Sequence, residues 1–262
     1  MLFEKLRDEF KFNSKEELIN QISKDIESVK EKPLFGKFAL IGKSIKHSKS
    51  EETYKKILKT DFISYTHLDY DNDSDIPGLD LLFKEFNFIS ITAPYKESIY
   101  SKVDSLERCS IEYSSVNAIK REGGKIIGTN TDLKAIEEVL KKYQNLGITN
   151  IILLGDGAMA KLVININKKI KSFKIEQLSR SKKNLDSLDQ LLGENKLIIN
   201  TCSREYKLKL EPKAMTYVWD FNYSQEYEKN LVGNDFIKYE NGLDLLTLQA
   251  KYALSFWNLK KF

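Results

Sequence analysis

The segment Asn150-Ile-Ile-Leu-Leu154-Gly155-Asp-Gly157-Ala-Met-Ala160 limits the possible folds of this 262-residue chain more than any other stretch. An unbroken apolar run closed by glycine reads as a strand buried on both faces, as strands of parallel sheets are. Helix-forming residues follow at once, so the pattern G-x-G-x-x-A sits in a strand-turn-helix. In such a turn Gly155 permits the tight bend, Gly157 lets the backbone approach a pyrophosphate, and Ala160 lets the helix pack close to the strand. The first N–H groups of the helix then face the phosphates with a partial positive charge.

The next strand signal, Phe173-Lys-Ile-Glu-Gln-Leu178, ends in Ser179-Arg180-Ser181-Lys182-Lys183. A dinucleotide with a free ribose 2′-hydroxyl commonly meets a carboxylate at this point, whereas a 2′-phosphate meets arginine. A guanidinium pairs with phosphate oxygens in a bidentate way, so Arg180 points to NADP over NAD. Asp156 runs against this pattern, because it sets a carboxylate in the glycine loop near the expected pyrophosphate charge.

Strand and helix signals alternate along the chain, which implies α/β layers. Ser14-Lys-Glu-Glu17 has the form of a capping box before Leu18, Ile19, Ile22, Ile26 and Val29, and predicts an amphipathic helix ended by Pro33 and Gly36. Such a helix would pack on the following unit or serve an oligomer contact. Phe38–Ile41 reads as a buried parallel strand. Helices are expected near 51–60, 77–85 and 97–110, strands near 64–69 and 87–92, and a hairpin around Gly123-Gly124. Beyond Leu154 come strands at Leu197–Asn200 and Tyr217–Asp220, then an amphipathic helix from Asn241 to Trp257. The pattern therefore implies two α/β units in one chain, preceded by a charged N-terminal helix.

Two further residues suggest proton transfer. Lys96 follows Ser90-Ile-Thr-Ala-Pro-Tyr, and Asp132 closes Gly128-Thr-Asn-Thr, each beside a turn signal. An amine and a carboxylate held together form an acid/base unit, in which the carboxylate stabilises the ammonium form while burial opposes it. Asp132 also stands where it could cap the helix that Leu133 begins. Acids and bases are nearly balanced, with a net charge of +4 at pH 7, and no basic stripe is interleaved with aromatics, which argues against nucleic acid as a partner. No run reaches the roughly 18 apolar residues of a membrane span, and the N-terminus is charged where a signal peptide is apolar, so a cytoplasmic location is expected. Cys109 and Cys202 are far apart, without metal-ligand spacing, and read as buried free thiols with no metal site.

With these motifs in order, the chain resembles the shikimate dehydrogenase family from about residue 37 onward. The family's substrate loop appears as Gly42-Lys-Ser-Ile-Lys-His47-Ser48-Lys-Ser50, and its Asn-Val-Thr-x-Pro-x-Lys as Ser90-Ile-Thr92-Ala-Pro94-Tyr-Lys96. Ser115-Val-Asn117-Ala, Gly128-Thr-Asn-Thr131-Asp132, Ser179-Arg180-Ser181, Asp220-Phe-Asn-Tyr223 and Gly242-Leu-Asp-Leu-Leu-Thr-Leu-Gln249 follow in the family's order. The resemblance implies an N-terminal helical extension over 1–34, a substrate-binding domain over 35–132 with 241–262, and a Rossmann-type NADP domain over 133–240, so that the C-terminal helix returns to the substrate-binding domain. It implies that Ser48 and Ser50 bind a substrate carboxylate with Tyr223 near the same end. Thr92, Lys96, Asn117, Asp132 and Gln249 would surround the ring hydroxyls, with Lys96 catalytic and Asp132 its partner. The cofactor set would be Gly155, Gly157, Ala158, Ala160, Ser179, Arg180, Lys183 and Gly242. The implied activity is NADPH-dependent reversible reduction of 3-dehydroshikimate to shikimate, on the route to chorismate and the aromatic amino acids, by a monomer or homodimer. The alternatives are an NAD-using quinate/shikimate dehydrogenase and a non-catalytic shikimate-binding paralogue whose cofactor loop is impaired. Glu51, Ser90, Leu133 and Ala158 depart from the family's commonest residues.

Overall fold

The computed structural model describes residues 8, 9, 11–31, 35–223 and 225–260. The chain divides into two compact α/β units: the first ends at Asn130 and takes up the chain again at Leu254, and the second is Thr131–Ala253.

The first unit contains α1 (Lys15–Glu31), β1 (Lys37–Gly42), α2 (Ser50–Leu58), β2 (Ser64–Asp69), α3 (Leu79–Glu85), β3 (Phe88–Ile91), α4 (Lys96–Tyr100), β4 (Ser105–Leu106), α5 (Arg108–Tyr113), β5 (Ala118–Glu122) and β6 (Lys125–Thr129). Its sheet has the order β2-β1-β3-β5-β6-β4. Strands β1, β2 and β3 are parallel, while β5 runs antiparallel to both β3 and β6. The apolar run of β1 explains its central place, since Phe38, Ala39, Leu40 and Ile41 are all buried. Gly123 and Gly124 both take positive φ at the expected hairpin, as a two-residue turn matched to strand twist requires.

Three expectations are corrected here. The helix expected over 97–110 is split into α4 and α5 by β4. Main-chain bonds from Asp104 and Glu107 to the carbonyls of Ile126 and Gly128, together with the Asp104 carboxylate on the Ile126 N–H, draw this stretch into the sheet. Helix α1 forms with its cap, the Glu17 N–H donating to Ser14 Oγ at 3.1 Å and the Asn13 N–H to the Glu17 carboxylate at 2.8 Å. Its apolar stripe does not pack on the unit, since Leu18, Ile19, Ile22 and Ile26 remain exposed. Pro33, expected to end this helix, lies outside the described residues. Both cysteines are free and half-buried rather than buried.

The second unit contains α6 (Thr131–Asn145), β7 (Asn150–Leu154), α7 (Ala158–Ile170), β8 (Lys174–Leu178), α8 (Leu188–Leu191), β9 (Lys196–Asn200), β10 (Thr216–Asp220), α9 (Glu228–Val232), β11 (Ile237–Glu240) and most of α10 (Gly242–Phe256). Its sheet is wholly parallel, in the order β11-β10-β9-β7-β8. Ile152, Leu154, Leu178, Ile198 and Val218 form one buried cluster with residues from the flanking elements. Chain order reverses beside β7, with β8 on one side and β9 on the other, and crevices that hold ligands open at the carboxyl ends of strands at such a reversal. The last turn of α10 belongs to the first unit, where the buried Trp257 donates from Nε1 to the Ile119 carbonyl at 3.0 Å and packs on the rings of Phe38, Tyr54 and Phe88. Among the described residues no helix is long and apolar enough to cross a membrane.

Candidate functional site

In the first unit the polar candidates follow one end of the interior strands of the sheet. Strands β1 and β3 end side by side, with Ile41 opposite Ile91, and the chain leaving them carries Ser48, Ser50, Thr92 and Lys96. Because β5 is antiparallel to β3, Asn117 enters the sheet at that same end of the strands, its carbonyl accepting the Ile91 N–H at 2.8 Å and its N–H donating to the Thr129 carbonyl at 2.9 Å. Asn117 is buried.

The serine loop is held by a residue that motif reading passed over. Asp69, at the end of β2, accepts the N–H groups of Ser44 at 2.7 Å and Ile45 at 3.2 Å. The Ser48 hydroxyl donates to the hydroxyl of the buried Ser50 at 3.0 Å, so the two present a paired group. Gly42 lets this loop meet the one after β3: a Cβ there would stand 2.5 Å from the methyl carbons of both Ile45 and Thr92. The Thr92 N–H donates to the Ile41 carbonyl at 2.8 Å. Lys96 is the first residue of α4 and half-buried, and its carbonyl accepts the Val116 N–H at 3.0 Å. Ser90, which stands where the family has asparagine, meets the Tyr54 hydroxyl at 3.2 Å. A strand-ending aspartate before a turn was the available signal for Asp69; nothing local marked Tyr54.

In the second unit Asp132 lies inside the first turn of α6 rather than capping it, because the helix already begins at Thr131. A carboxylate there complements the positive end of the helix. The Thr131 hydroxyl donates to the Gln249 amide oxygen at 3.2 Å, which brings Gln249 on α10 to the start of the helix that carries Asp132. Tyr223 follows β10, with the Arg204 guanidinium 4.9 Å from its ring centroid. The loop before it is anchored by Asp220, whose carboxylate accepts from the Asn222 N–H at 2.8 Å, the Tyr227 hydroxyl at 2.6 Å and the Asn200 amide at 3.1 Å. Burial raises the pKa of Asp220 while these hydrogen bonds oppose the rise. Gly242 donates to the Asn222 carbonyl at 2.8 Å, and a Cβ would collide with the Phe221 carbonyl, so close packing alone already demands glycine there.

The glycine loop has two different needs at its two glycines. Gly155 takes φ +104°, donates to the Leu178 carbonyl at 2.8 Å, and has room only for hydrogen, since a Cβ would lie 2.5 Å from Thr201 Oγ1. Gly157 caps α7 with φ −73°, and a Cβ there would meet nothing within 4 Å. Open space beside free helix N–H groups is what a bound phosphate requires. Ala158 begins α7 in an exposed position, and Ala160 is fully buried. After β8, the buried Ser179 donates its N–H to Asn184 Oδ1 at 2.8 Å, and Lys183 adopts φ +53° with its N–H on the Arg180 carbonyl at 3.1 Å. Arg180 and Lys183 are exposed. These residues fit a dinucleotide by the open cap at Gly157 and the exposed cations after β8. Asn184, which staples the loop by also donating to the Gln177 carbonyl at 3.2 Å, was not singled out from sequence. Asp156 accepts the Ser181 hydroxyl, whose oxygen lies 3.0 Å from that of Ser179, and the hydrogen bond from Ser181 holds the aspartate below its usual pKa. The carboxylate expected near the pyrophosphate is thus engaged with the loop after β8.

A family model described as "Flavokinase: Riboflavin kinase" matches residues 1–32. Among curated proteins, shikimate dehydrogenase (NADP(+)) of Halothermothrix orenii is 30% identical over 130 residues, 47% of this chain and 45% of that protein; this match spans about half the length of the relative. Shikimate dehydrogenase (NADP(+)) of Clostridium botulinum is 28% identical over 252 residues, 84% of this chain and 95% of that protein. Among solved structures, shikimate 5-dehydrogenase of Thermus thermophilus in complex with NADP(H) and shikimate matches with a TM-score of 0.64 at 21% identity, covering 84% of this chain and 92% of that one. At that identity the likeness bears on the fold: two α/β units built on parallel-rich sheets.

Proposed function

We propose that this chain is a member of the shikimate dehydrogenase family, which its curated relatives and its fold support, and that it catalyses the NADP-dependent interconversion of shikimate and 3-dehydroshikimate. The observation that carries the reading is the placement of Ser48, Ser50, Thr92, Lys96 and Asn117 beyond one end of the interior strands β1, β3 and β5 of the first sheet. Paired hydroxyls suit a carboxylate, and a mixed set of donors and acceptors suits a ring that bears several hydroxyls. In this reading Ser48 and Ser50, with Tyr223, hold the substrate carboxylate. Thr92, Asn117, Asp132 and Gln249 fix which alcohol reacts.

Lys96 takes the proton of that alcohol during oxidation and returns it during reduction, and Asp132 orients the amine. NADP, when bound, supplies the hydride acceptor. Gly155, Gly157, Ala158 and Ala160 would give it a close approach to α7, Ser179, Arg180 and Lys183 would face the 2′-phosphate, and Gly242 would close the set. Alignment of the substrate carbon is then the protein's main contribution.

Purified protein given shikimate and NADP is expected to form NADPH, followed at its absorbance band. Lys96→Ala is expected to lower kcat by about 10²–10⁴-fold, the usual range for a positioned acid/base group, while the Kd for shikimate, measured by calorimetry, stays within about threefold. Near-normal turnover in this variant overturns the assignment of Lys96.

A further inference from the structure

Asp156 is a feature of this chain that the proposed reaction does not use. It sits on the exposed second position of the glycine loop, yet its carboxylate is not free in solvent: it accepts the hydroxyl of Ser181 across from the loop after β8. Ser181 in turn lies 3.0 Å from the hydroxyl of the buried Ser179, and Arg180 stands between the two serines in sequence. The pair therefore joins the first loop of the dinucleotide fold to the loop where a ribose 2′-substituent is read.

This arrangement has two chemical consequences. A hydroxyl that donates to a carboxylate has its single proton committed and cannot donate it to a phosphate oxygen. The carboxylate also adds a negative charge beside the position where Arg180 offers a positive one. Its pKa is lowered, chiefly by the Ser181 hydrogen bond, so it is ionised at neutral pH. Both consequences oppose a 2′-phosphate and leave an unsubstituted 2′-hydroxyl tolerated.

We infer that Asp156 is a cofactor-selectivity residue that weakens recognition of the 2′-phosphate, so that this chain separates NADP from NAD less sharply than Arg180 alone would make it. The inference rests on the dinucleotide reading of the glycine loop, and its test is made by equilibrium binding rather than turnover. Adenosine 2′,5′-bisphosphate and 5′-AMP differ only in the 2′-phosphate, so the ratio of their affinities isolates that group. Both are titrated calorimetrically into the full chain and into the variants Asp156→Asn, Asp156→Ala and Ser181→Ala.

A unit charge about 6 Å from a dianion in water changes affinity by roughly tenfold. Asp156→Asn is therefore expected to shift the ratio about tenfold toward the bisphosphate, with Asp156→Ala shifting it at least as far because it also releases the Ser181 hydroxyl. Ser181→Ala keeps the charge and is expected to give no such gain. A ratio within twofold of the parent in both Asp156 variants, or a shift away from the bisphosphate, overturns the inference while leaving the dinucleotide site standing. Binding of neither nucleotide by parent and variants overturns the dinucleotide reading itself, and this inference with it.

Discussion

Replacement of Gly155 by alanine tests whether the turn after β7 is set by backbone geometry or only by the nucleotide it would serve. At φ +104° an L-residue is strained, at a cost of about 1–3 kcal/mol. The added methyl would lie 2.5 Å from Thr201 Oγ1, 3.2 Å from the Thr201 carbonyl carbon and 3.3 Å from the Cys202 nitrogen. Thr201 cannot swing away freely, because its hydroxyl donates to the Leu154 carbonyl at 2.7 Å. Loss of that bond costs about 1 kcal/mol, and moving the main chain costs about 1–2 kcal/mol more. A total near 4 kcal/mol follows, which for a unit of this size lowers the melting temperature by about 10–15 °C.

The comparison variant is Gly157→Ala, whose methyl group meets nothing within 4 Å. Its cost is about 0.5–1 kcal/mol, the difference between alanine and glycine at a helix N-cap, yet its methyl would stand in the space assigned to phosphate. Differential scanning calorimetry and NADP titration on both variants should separate the two roles, with Gly155→Ala failing in stability and Gly157→Ala in binding. Melting of Gly155→Ala within about 2 °C of the parent would refute the steric and conformational reasoning together.

Asp220→Ala would leave the Tyr227 hydroxyl and the Asn200 and Asn222 donors without their buried acceptor, and urea denaturation should show a loss of about 3 kcal/mol or more. The same carboxyl predicts a pH effect. Its folded pKa is raised by burial, so its contribution is fully present below the unfolded value and is lost as pH rises through the folded one; Asp220→Asn should remove this decline from a stability-versus-pH profile. Trp257→Ala removes a buried indole packed on Phe38, Tyr54 and Phe88 together with its bond to Ile119, and calorimetry should show a loss of about 3–5 kcal/mol.

Local chemistry makes much of this protein legible in its amino-acid order. The apolar run into Gly155 identifies β7 and the start of α7, and the Gly123-Gly124 pair identifies the hairpin, because each is decided by a few neighbouring residues. Where long-range pairing competes with local preference, sequence reading fails. Residues 97–110 carry helical residues, yet the Asp104 and Glu107 main chain is captured by β6 and the helix breaks. The apolar spacing of α1 was legible as a helix, but its stripe stays exposed because periodicity specifies a face and not what covers it.

The candidate residues divide along the same line. Their identities, and the motif order that carries the family resemblance, are properties of the sequence alone. Only the parallel register of β1 with β3 and the antiparallel return of β5 put Ser48, Thr92, Lys96 and Asn117 beyond one end of these strands, since sheet order is set by pairing across tens of residues. The same holds for the supports that motif reading missed. Asp69 beneath the serine loop and Asn184 beneath the loop after β8 act through main-chain N–H groups, which every residue except proline carries and which therefore leave no mark in the sequence. Asp156 is the sharpest case: the sequence puts a carboxylate in a glycine loop, and tertiary structure turns it onto Ser181, because a side chain's partner is chosen by what the fold brings within reach.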